Sequence, residues 1–427
     1  MRRGQLLREL EQGGLPERLE PVYGRDAPGA AYRLRELVLE YGETFPCGDD
    51  AETLLFSTPG RTELGGNHTD HQHGHGLAAS VNLDTIACVV PNGSRTIRIK
   101  SRHHRLAEVD LSDLAAKKEE TGNSVSLLRG VAARLTQLGY AIGGFDAYTT
   151  TRVLRGSGLS SSAAFEVLTA TIMNQLFCGG ALSATDLAKV GQYAENVYFG
   201  KPCGLMDQMA CATGGVIAID FKDPDNPSLR QVQVDLSRFG HALCIIDTRA
   251  SHADLTADYA AITQEMRQVA ACFGREVLGD VSFEQFRESL ATVRATCGDR
   301  AALRAYHFFR DDQRVLLECD ALEQGDFDAF LHHVRQSGRS SFMYLQNVSN
   351  YRESRSQPVA LLLALAEDLL AGRGACRVHG GGFAGTIQAF VPLEDLSAFV
   401  SGMEAVAGQG SCHVLTFRSA GSVPLVC

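Results

Sequence analysis

An alternating, strand-like segment at 145–153 leads into Gly156-Ser157-Gly158-Leu159-Ser160-Ser161-Ser162-Ala163-Ala164, and an apolar helix is predicted directly behind it over 163–177. Phe165, Leu168, Ile172 and Leu176 fall on one stripe of that helix. Two glycines let backbone approach a ligand with no Cβ in the way. The serines stand at a helix start, where free N–H groups and the helix dipole favour an anion. A serine hydroxyl there can also cap the helix or bind Mg²⁺. The segment therefore reads as a phosphate cradle, or else as a flexible loop with a good N-cap. It is not a P-loop, because no Gly-Lys-Ser/Thr follows at the required spacing.

The rest of the chain alternates strands and helices. Residues 30–41 carry Tyr32, Leu34, Leu37, Val38 and Tyr41 at helical spacing. Strands are predicted at 53–57, 81–90, 96–100, 216–220 and 242–247, and helices at 124–138 and 184–198. Residues 253–371 read as mainly helical, and 377–378 and 386–391 as strands flanking a glycine turn. The pattern is α+β. With 427 residues, two domains are the default. Pro224, Asp225, Asn226 and Pro227 interrupt the periodic segments, so the boundary is expected near 221–229, dividing the chain into 1–223 and 224–427.

Forty basic against fifty acidic side chains give a formal charge of −10. Nucleic-acid affinity rests on clustered Lys and Arg, and nothing here suggests such a partner. The longest apolar stretch, 359–366, is far short of a membrane span, and Met1–Leu19 lacks an apolar signal core. Twelve cysteines are scattered singly with no C-x-x-C pair. They read as free thiols of a reducing compartment, and the protein as cytoplasmic. No sequence feature fixes an oligomeric state.

Three further blocks stand out: Pro59-Gly60-Arg61-Thr62-Glu63-Leu64-Gly65-Gly66-Asn67-His68-Thr69-Asp70, then Pro202-Cys203-Gly204-Leu205-Met206-Asp207-Gln208, and last Gly380-Gly381-Gly382-Phe383-Ala384-Gly385. The last satisfies G-x-G-x-x-G, but a dinucleotide fold needs a helix straight after it, and the alternating 386–391 is a strand. Together with the serine turn, these blocks resemble the galacto-, homoserine, mevalonate and phosphomevalonate (GHMP) kinase superfamily, and within it the galactokinase family. The first is similar to that family's sugar signature, the turn to its phosphate-binding motif, the third to the segment with its catalytic aspartate, and the last to its C-terminal glycine motif. They occur in family order and span nearly the whole chain.

The resemblance implies two α+β domains with the active site in the cleft between them. It implies transfer of the ATP γ-phosphoryl group to the anomeric hydroxyl of a monosaccharide, galactose first, with Mg²⁺. By carry-over, Asp207 is the candidate base and Arg61 the guanidinium beside it. Ser162 and Glu195 are the implied Mg²⁺ ligands. Gly156, Ser157, Gly158, Leu159, Ser160, Ser161 and Ser162 are expected along the triphosphate, and Asn67, His68, Asp70, Gly204 and Tyr259 on the sugar. Tyr259 rests on the weaker match of His252-Ala253-Asp254-Leu255-Thr256-Ala257-Asp258-Tyr259. Some relatives are sugar-responsive regulators that lose small residues of the serine turn. Ser162-Ala163 is intact here, which favours an enzyme.

Five positions depart from the family pattern. Glu63 stands where the family has Asn, Gly65 where it has Ile, Asn67 where it has an acid, and His71 where it has Tyr. Leu154 replaces a proline before the serine turn. Asn both donates and accepts hydrogen bonds, whereas a carboxylate only accepts. Position 67 is thus expected to tolerate an acceptor on the sugar, so galacturonate, N-acetylgalactosamine and arabinose stand beside galactose as alternatives. His68, His71, His73 and His75 also crowd this segment. They suit a polar loop rimming a sugar pocket or, if extended, a transition-metal site.

Overall fold

The computed structural model describes residues 1–154, 158–201, 203–250 and 255–427. Gly156 and Ser157 of the serine turn, and His252, Ala253 and Asp254 of the weaker match, lie outside them.

A larger sheet contains β1 (Leu54–Gly65), β2 (His75–Pro91), β3 (Thr96–Ser101), β4 (Leu106–Asp110), β5 (Phe145–Thr151), β6 (Val216–Asp220) and β7 (Ser228–Val232). A smaller one contains β8 (His241–Asp247), β9 (Ala375–His379), β10 (Thr386–Pro392) and β11 (Cys412–Leu415) in the order β11-β8-β10-β9. The last strand, β12 (Val423–Val426), returns to the larger sheet, whose main path is β12-β1-β2-β5-β3-β4. Only β3 and β5 pair in parallel there among the described residues. β2 is long enough to serve two neighbours: its first half pairs with β6 and its second with β5. The turn expected to divide the chain, near 221–229, joins β6 to β7, two paired strands.

Period-two alternation decides which face each strand residue buries. On β2, Ile86 and Cys88 pack under α1 (Arg3–Glu11), α2 (Pro16–Tyr23) and α3 (Ala27–Thr44). Ala87 and Val89 face α4 (Ser124–Gln137), α5 (Ser161–Phe177) and α6 (Ala184–Tyr193). α5 is apolar nearly all round, and its residues from Ala163 to Asn174 are buried except Phe165, as befits a helix at the centre of a layer. Next comes α7 (Met206–Thr213).

The second half adds α8 (Thr256–Ala271), α9 (Phe283–Glu288), α10 (Leu290–Cys297), α11 (Asp299–Gln324), α12 (Phe327–Ser340), α13 (Pro358–Leu370) and α14 (Leu396–Ala407). The smaller sheet lies between helices. Ile387, Ala389 and Val391 of β10 join the core under α13 and α14, whereas Phe390 joins α12. That second core runs on through Val315 and Cys319 of α11 to Leu77 and Ile217 of the larger sheet. α11 and α12 thus weld the two sheets together.

Two elements differ from expectation. The strand predicted to stop at Ser57 runs on through Pro59-Gly60 to Gly65 and is buried throughout. Proline inside a sheet belongs at irregular pairing, and the register with β2 shifts between Pro59 and Arg61 and again between Glu63 and Gly65. The helix predicted over 184–198 closes its α-helical part at Tyr193 and continues as a π-helical turn, Ala194–Phe199, capped by Gly200 at φ 81°. Among the described residues no helix is long and apolar enough to cross a membrane.

Candidate active site

The bulges of β1 bend the strand and re-aim its side chains. Arg61 meets Asp207, in the first turn of α7, with two parallel bonds: Nε donates to Oδ1 at 2.7 Å and Nη2 to Oδ2 at 2.6 Å. Its Nη1 donates to the Gly158 carbonyl of the serine turn, and its backbone N–H to the Leu159 carbonyl at 3.1 Å. Strand and turn come this close because residue 60 is glycine: a Cβ there would stand 2.9 Å from Val153 Cγ1 and 3.0 Å from the Leu159 carbonyl oxygen.

Ser160 sits at the N-cap of α5 with φ 55° and ψ 65°, a left-handed backbone uncommon for serine. Its hydroxyl makes no capping bond; Oγ donates to Asp207 Oδ2 at 2.7 Å instead. Burial alone would raise the Asp207 pKa, but the Arg61 charge, its hydrogen bonds and that of Ser160, with help from Lys201, hold the carboxyl below its ordinary range. Asp207 is an oriented carboxylate, and its side chain is still 29% exposed.

One turn further, Ser162 Oγ donates to Glu195 Oε1 at 3.2 Å. Glu195 lies in the π-helical turn with its side chain 3% exposed. Gln208, next to Asp207, bridges two acids: Nε2 donates to Glu195 Oε2 at 2.9 Å and to Glu166 Oε2 at 3.1 Å. Glu166 Oε1 is buried without a partner among the described residues. Burial, and then the nearby Glu195, pushes the Glu166 pKa far up. Lys201 Nζ stands 3.5 Å from Glu195 Oε1. One hydroxyl and one enclosed carboxylate suit a Mg²⁺ ion that takes its other ligands from phosphate and water. Among the described residues no three or more His, Cys, Asp or Glu form a metal cluster.

The C-terminal glycine block meets the segment around Asn67 and His68 and the start of α8. Asn67 Nδ2 donates to the Gly380 carbonyl at 2.7 Å, His68 Nε2 to that of Gly381 at 3.0 Å and the Tyr259 hydroxyl to that of Gly382 at 2.7 Å. Burial lowers the His68 pKa to about 4, so the ring is neutral. Asp70 reaches from another direction and packs on Gly204, where a Cβ would overlap its Oδ2. Asp70 thus meets Gly204, three residues before Asp207, while His68 and Tyr259 both bond to the glycine block.

Asn67 differs from expectation. It is fully enclosed, and its amide is spent inside the protein. Nδ2 also donates to Glu63 Oε1 at 3.0 Å, and Oδ1 accepts from Asn347 Nδ2 at 2.7 Å and from Ser341 Oγ at 3.3 Å. No donor is left for an acceptor on a sugar, so the ground for uronate tolerance is absent. Glu63 is in turn paired with buried Arg377. A Cβ at Gly65 would overlap the carboxyl of Glu318, whose two oxygens are buried without partners among the described residues. The departures at 63, 65 and 67 thus each meet a buried polar partner, Arg377, Glu318 and Glu63 in turn.

The clustered histidines do not share a face. A 3₁₀ turn, Asp70–Gln72, and a left-handed His73 at φ 59° separate them. His75 is held by Asp312, with Nδ1 at 2.9 Å from Oδ1.

The chain matches the family model described as GHMP kinases N terminal domain over residues 126–215, and the galactokinase galactose-binding signature over 40–91. It is 31% identical to the galactokinase of Streptomyces coelicolor over 383 residues, covering 87% of this chain and 94% of that one. The chain belongs to the galactokinase family. A second galactokinase, from Mannheimia succiniciproducens, is 30% identical over 344 residues, with 79% and 84% of the two chains covered. Among solved structures, the Lactococcus lactis galactokinase complexed with galactose superposes with a TM-score of 0.78 at 23% identity, covering 92% of this chain and 99% of that one. A mevalonate kinase superposes with a TM-score of 0.61 at 13% identity, covering 86% and 99%. These likenesses show the two-domain α+β fold of GHMP kinases. As a member of the galactokinase family the protein is a sugar kinase that uses ATP.

Several of these groups were not singled out from the sequence: Glu166, Lys201, Gln208, His379 and the pair Glu63–Arg377. Ser162 and Glu166 are four apart on one helix, a spacing that places both on one face. His379 offered no local signal. Its Nδ1 would lie 2.7 Å from a Cβ at Gly158, so it backs the serine turn from a strand more than two hundred residues later.

Proposed function

We propose that the protein transfers the γ-phosphoryl group of ATP to the anomeric hydroxyl of galactose, with Asp207 and Arg61 at the reacting hydroxyl. The observation that carries this reading is the two-pronged Arg61–Asp207 pair tied to the serine turn through Ser160 and Gly158. It joins the segment suited to phosphate and the segment suited to sugar at one carboxylate. His68, Asp70, Gly204 and Tyr259 are the proposed sugar-side residues, with Asn67 supporting them from behind.

In the proposed step a sugar oxygen attacks the γ-phosphorus in line. The new O–P bond forms as the bond from that phosphorus to the β,γ-bridging oxygen breaks, and ADP leaves. The hydroxyl proton passes to Asp207. A carboxylate held below its ordinary pKa is a weak base, which suits a loose transition state in which the nucleophile keeps its proton until late. Arg61 keeps Asp207 oriented and places positive charge near the migrating group. The N-terminus of α5, which Ser160 leaves uncapped, offers backbone N–H groups to the phosphates. Mg²⁺ held by Ser162 and Glu195 would neutralise charge on the β- and γ-phosphates.

Residues 1–223 are proposed as the half that carries the turn, Arg61 and Asp207, and 224–427 as the half that supplies Tyr259 and the glycine block. β7 and β12 cross back between them. We place the protein in the cytoplasm, where reducing conditions suit its twelve unpaired thiols.

The test is ADP release with Mg²⁺ and a panel of galactose, galacturonate, N-acetylgalactosamine and arabinose, with phosphorus NMR to locate the phosphate on the product. Galactose is expected to give the highest kcat/KM and a 1-phosphate. ADP release with none of these sugars would overturn the reading and favour a sugar-responsive regulator.

A further inference from the structure

A nucleotide triphosphate brings several negative charges to a place already lined by the carboxylates of Asp207 and Glu195. Arg61 does not offset them freely. Its side chain is 8% exposed, and three of its donors are committed to Asp207 and the Gly158 carbonyl. Among the described residues, a cation that reaches the Ser162–Glu195 pair is Lys201, whose ammonium lies 3.5 Å from Glu195 Oε1, the same oxygen that accepts the Ser162 hydroxyl.

The backbone explains why a lysine is held there. The π-helical turn Ala194–Phe199 closes on its first acidic residue: the N–H groups of Gly200 and Lys201 both donate to the Glu195 carbonyl, at 3.0 and 3.2 Å. Gly200 supplies the positive φ of 81° that reverses the chain. Such one-turn π insertions recur at functional sites. Here the insertion buries the Glu195 carboxylate while anchoring Lys201 at the mouth. The origin of the lysine is fixed, but its side chain is 65% exposed and free to swing. A lysine ammonium is a mobile point charge on a four-carbon stem. Six residues later the same segment delivers Asp207, and the positive charge of Lys201 is felt there.

We propose that Lys201 is a phosphate-contacting residue of the transfer, resting on Glu195 in this structure and turning onto the γ-phosphate when ATP and its cation occupy the Ser162–Glu195 pair. This rests on the phosphoryl-transfer reading above. Lys201 makes or breaks no covalent bond in it. Its ammonium keeps its protons and donates to non-bridging oxygens as charge gathers on them.

The experiment compares Lys201→Gln and Lys201→Arg with the parent. Dissociation constants for ATP and ADP are measured by titration calorimetry without sugar, and kcat and both KM values with galactose. In Lys201→Gln, ATP affinity is expected to fall on the order of tenfold and ADP affinity less than about threefold, because the contact is to the γ-phosphate. The kcat should fall on the order of tenfold to a hundredfold, the galactose KM should hold, and Lys201→Arg should recover most of the loss. The proposal is overturned if ATP affinity stays within about twofold of the parent, if ATP and ADP weaken equally, or if arginine does no better than glutamine. Should the parent bind nucleotide yet phosphorylate no sugar, the proposed function fails, while the contrast between ATP and ADP still decides Lys201.

Discussion

Two buried polar regions lie along β1, one around Arg61 and one around Glu63 and Asn67, and they use their hydrogen bonds in opposite ways. In one, Glu63, Asn67, Arg377 and Asn347 bond mainly to one another and to backbone, and all four are essentially closed to solvent. In the other, Asp207 is partly exposed, Ser160 leaves its helix uncapped, and Lys201 leans loosely on Glu195. The first region spends its polar groups on holding the sugar signature against the glycine block. The second holds its groups in place with few bonds and leaves capacity for a ligand. Substitutions around Arg61 should therefore alter rate more than stability, and substitutions around Glu63 and Asn67 should do the reverse.

The sharpest way to break this contrast is Asp207→Asn. It keeps the shape and removes the charge that orients Arg61. The expected result is a loss in kcat of roughly a thousandfold in the ADP-release assay, a larger effect than the loss of stability from leaving buried Arg61 without its partner. A large loss of stability with normal turnover would reverse the roles assigned to the two regions.

In the enclosed region, Asn67→Asp would set a second carboxylate 3.0 Å from Glu63 and remove the donor to Gly380. A cost of about 3 kcal/mol in urea unfolding is expected. Adding Glu63→Gln should recover part of it, because a donor again faces a single acid. A double-mutant coupling below about 0.5 kcal/mol would deny that the pair acts as a unit.

The pH dependence sharpens the same point. Burial pushes the Glu63 carboxyl up to about 7, although Arg377, Arg61 and Asn67 act the other way. Between its ordinary value of 4.5 and about 7, the folded protein keeps a proton that the unfolded chain has released. Stability from this group is therefore full below the ordinary value and is lost as pH rises through about 7, by about 3 kcal/mol at most. Unfolding midpoints measured from pH 5 to 8 should fall in the parent and flatten in Glu63→Gln. Asp207 behaves oppositely: its depressed pKa keeps it ionised across this range, so its protonation should not limit turnover there.

The smallest expected effect lies where the two regions meet. Gly204→Ala places a methyl group against Asp70. The KM for galactose should rise on the order of tenfold while ATP affinity holds. An equal rise for both substrates would indicate a general disturbance of the cleft.

Much of this was legible in the residue order. The phosphate turn announces itself because glycine, serine and an apolar helix stripe are local chemistry. Arg61, Asp207 and Ser162 were each marked by short blocks and Glu195 by the family resemblance, and the structure draws them together. Asn67 was misread because a motif records which residue stands at a position and not what surrounds it. Its partners come from Asn347 and Gly380, and Arg377 reaches Glu63 across 314 positions of chain. Lys201 carried no signal, since an exposed lysine looks alike in any loop. What singles it out is a π-helical turn, and a backbone register of that kind leaves no trace in hydrophobic period.

The sequence by itself determined the fold class, the blocks that bear the chemistry and their order, because helix and strand periods and glycine turns follow from neighbouring residues. Only the tertiary structure decided which polar groups remain available. A hydrogen bond already made within the protein, as at Asn67, is closed to a substrate, and one left open, as at the start of α5, is offered to it. That depends on who sits opposite, and distant segments supply the answer.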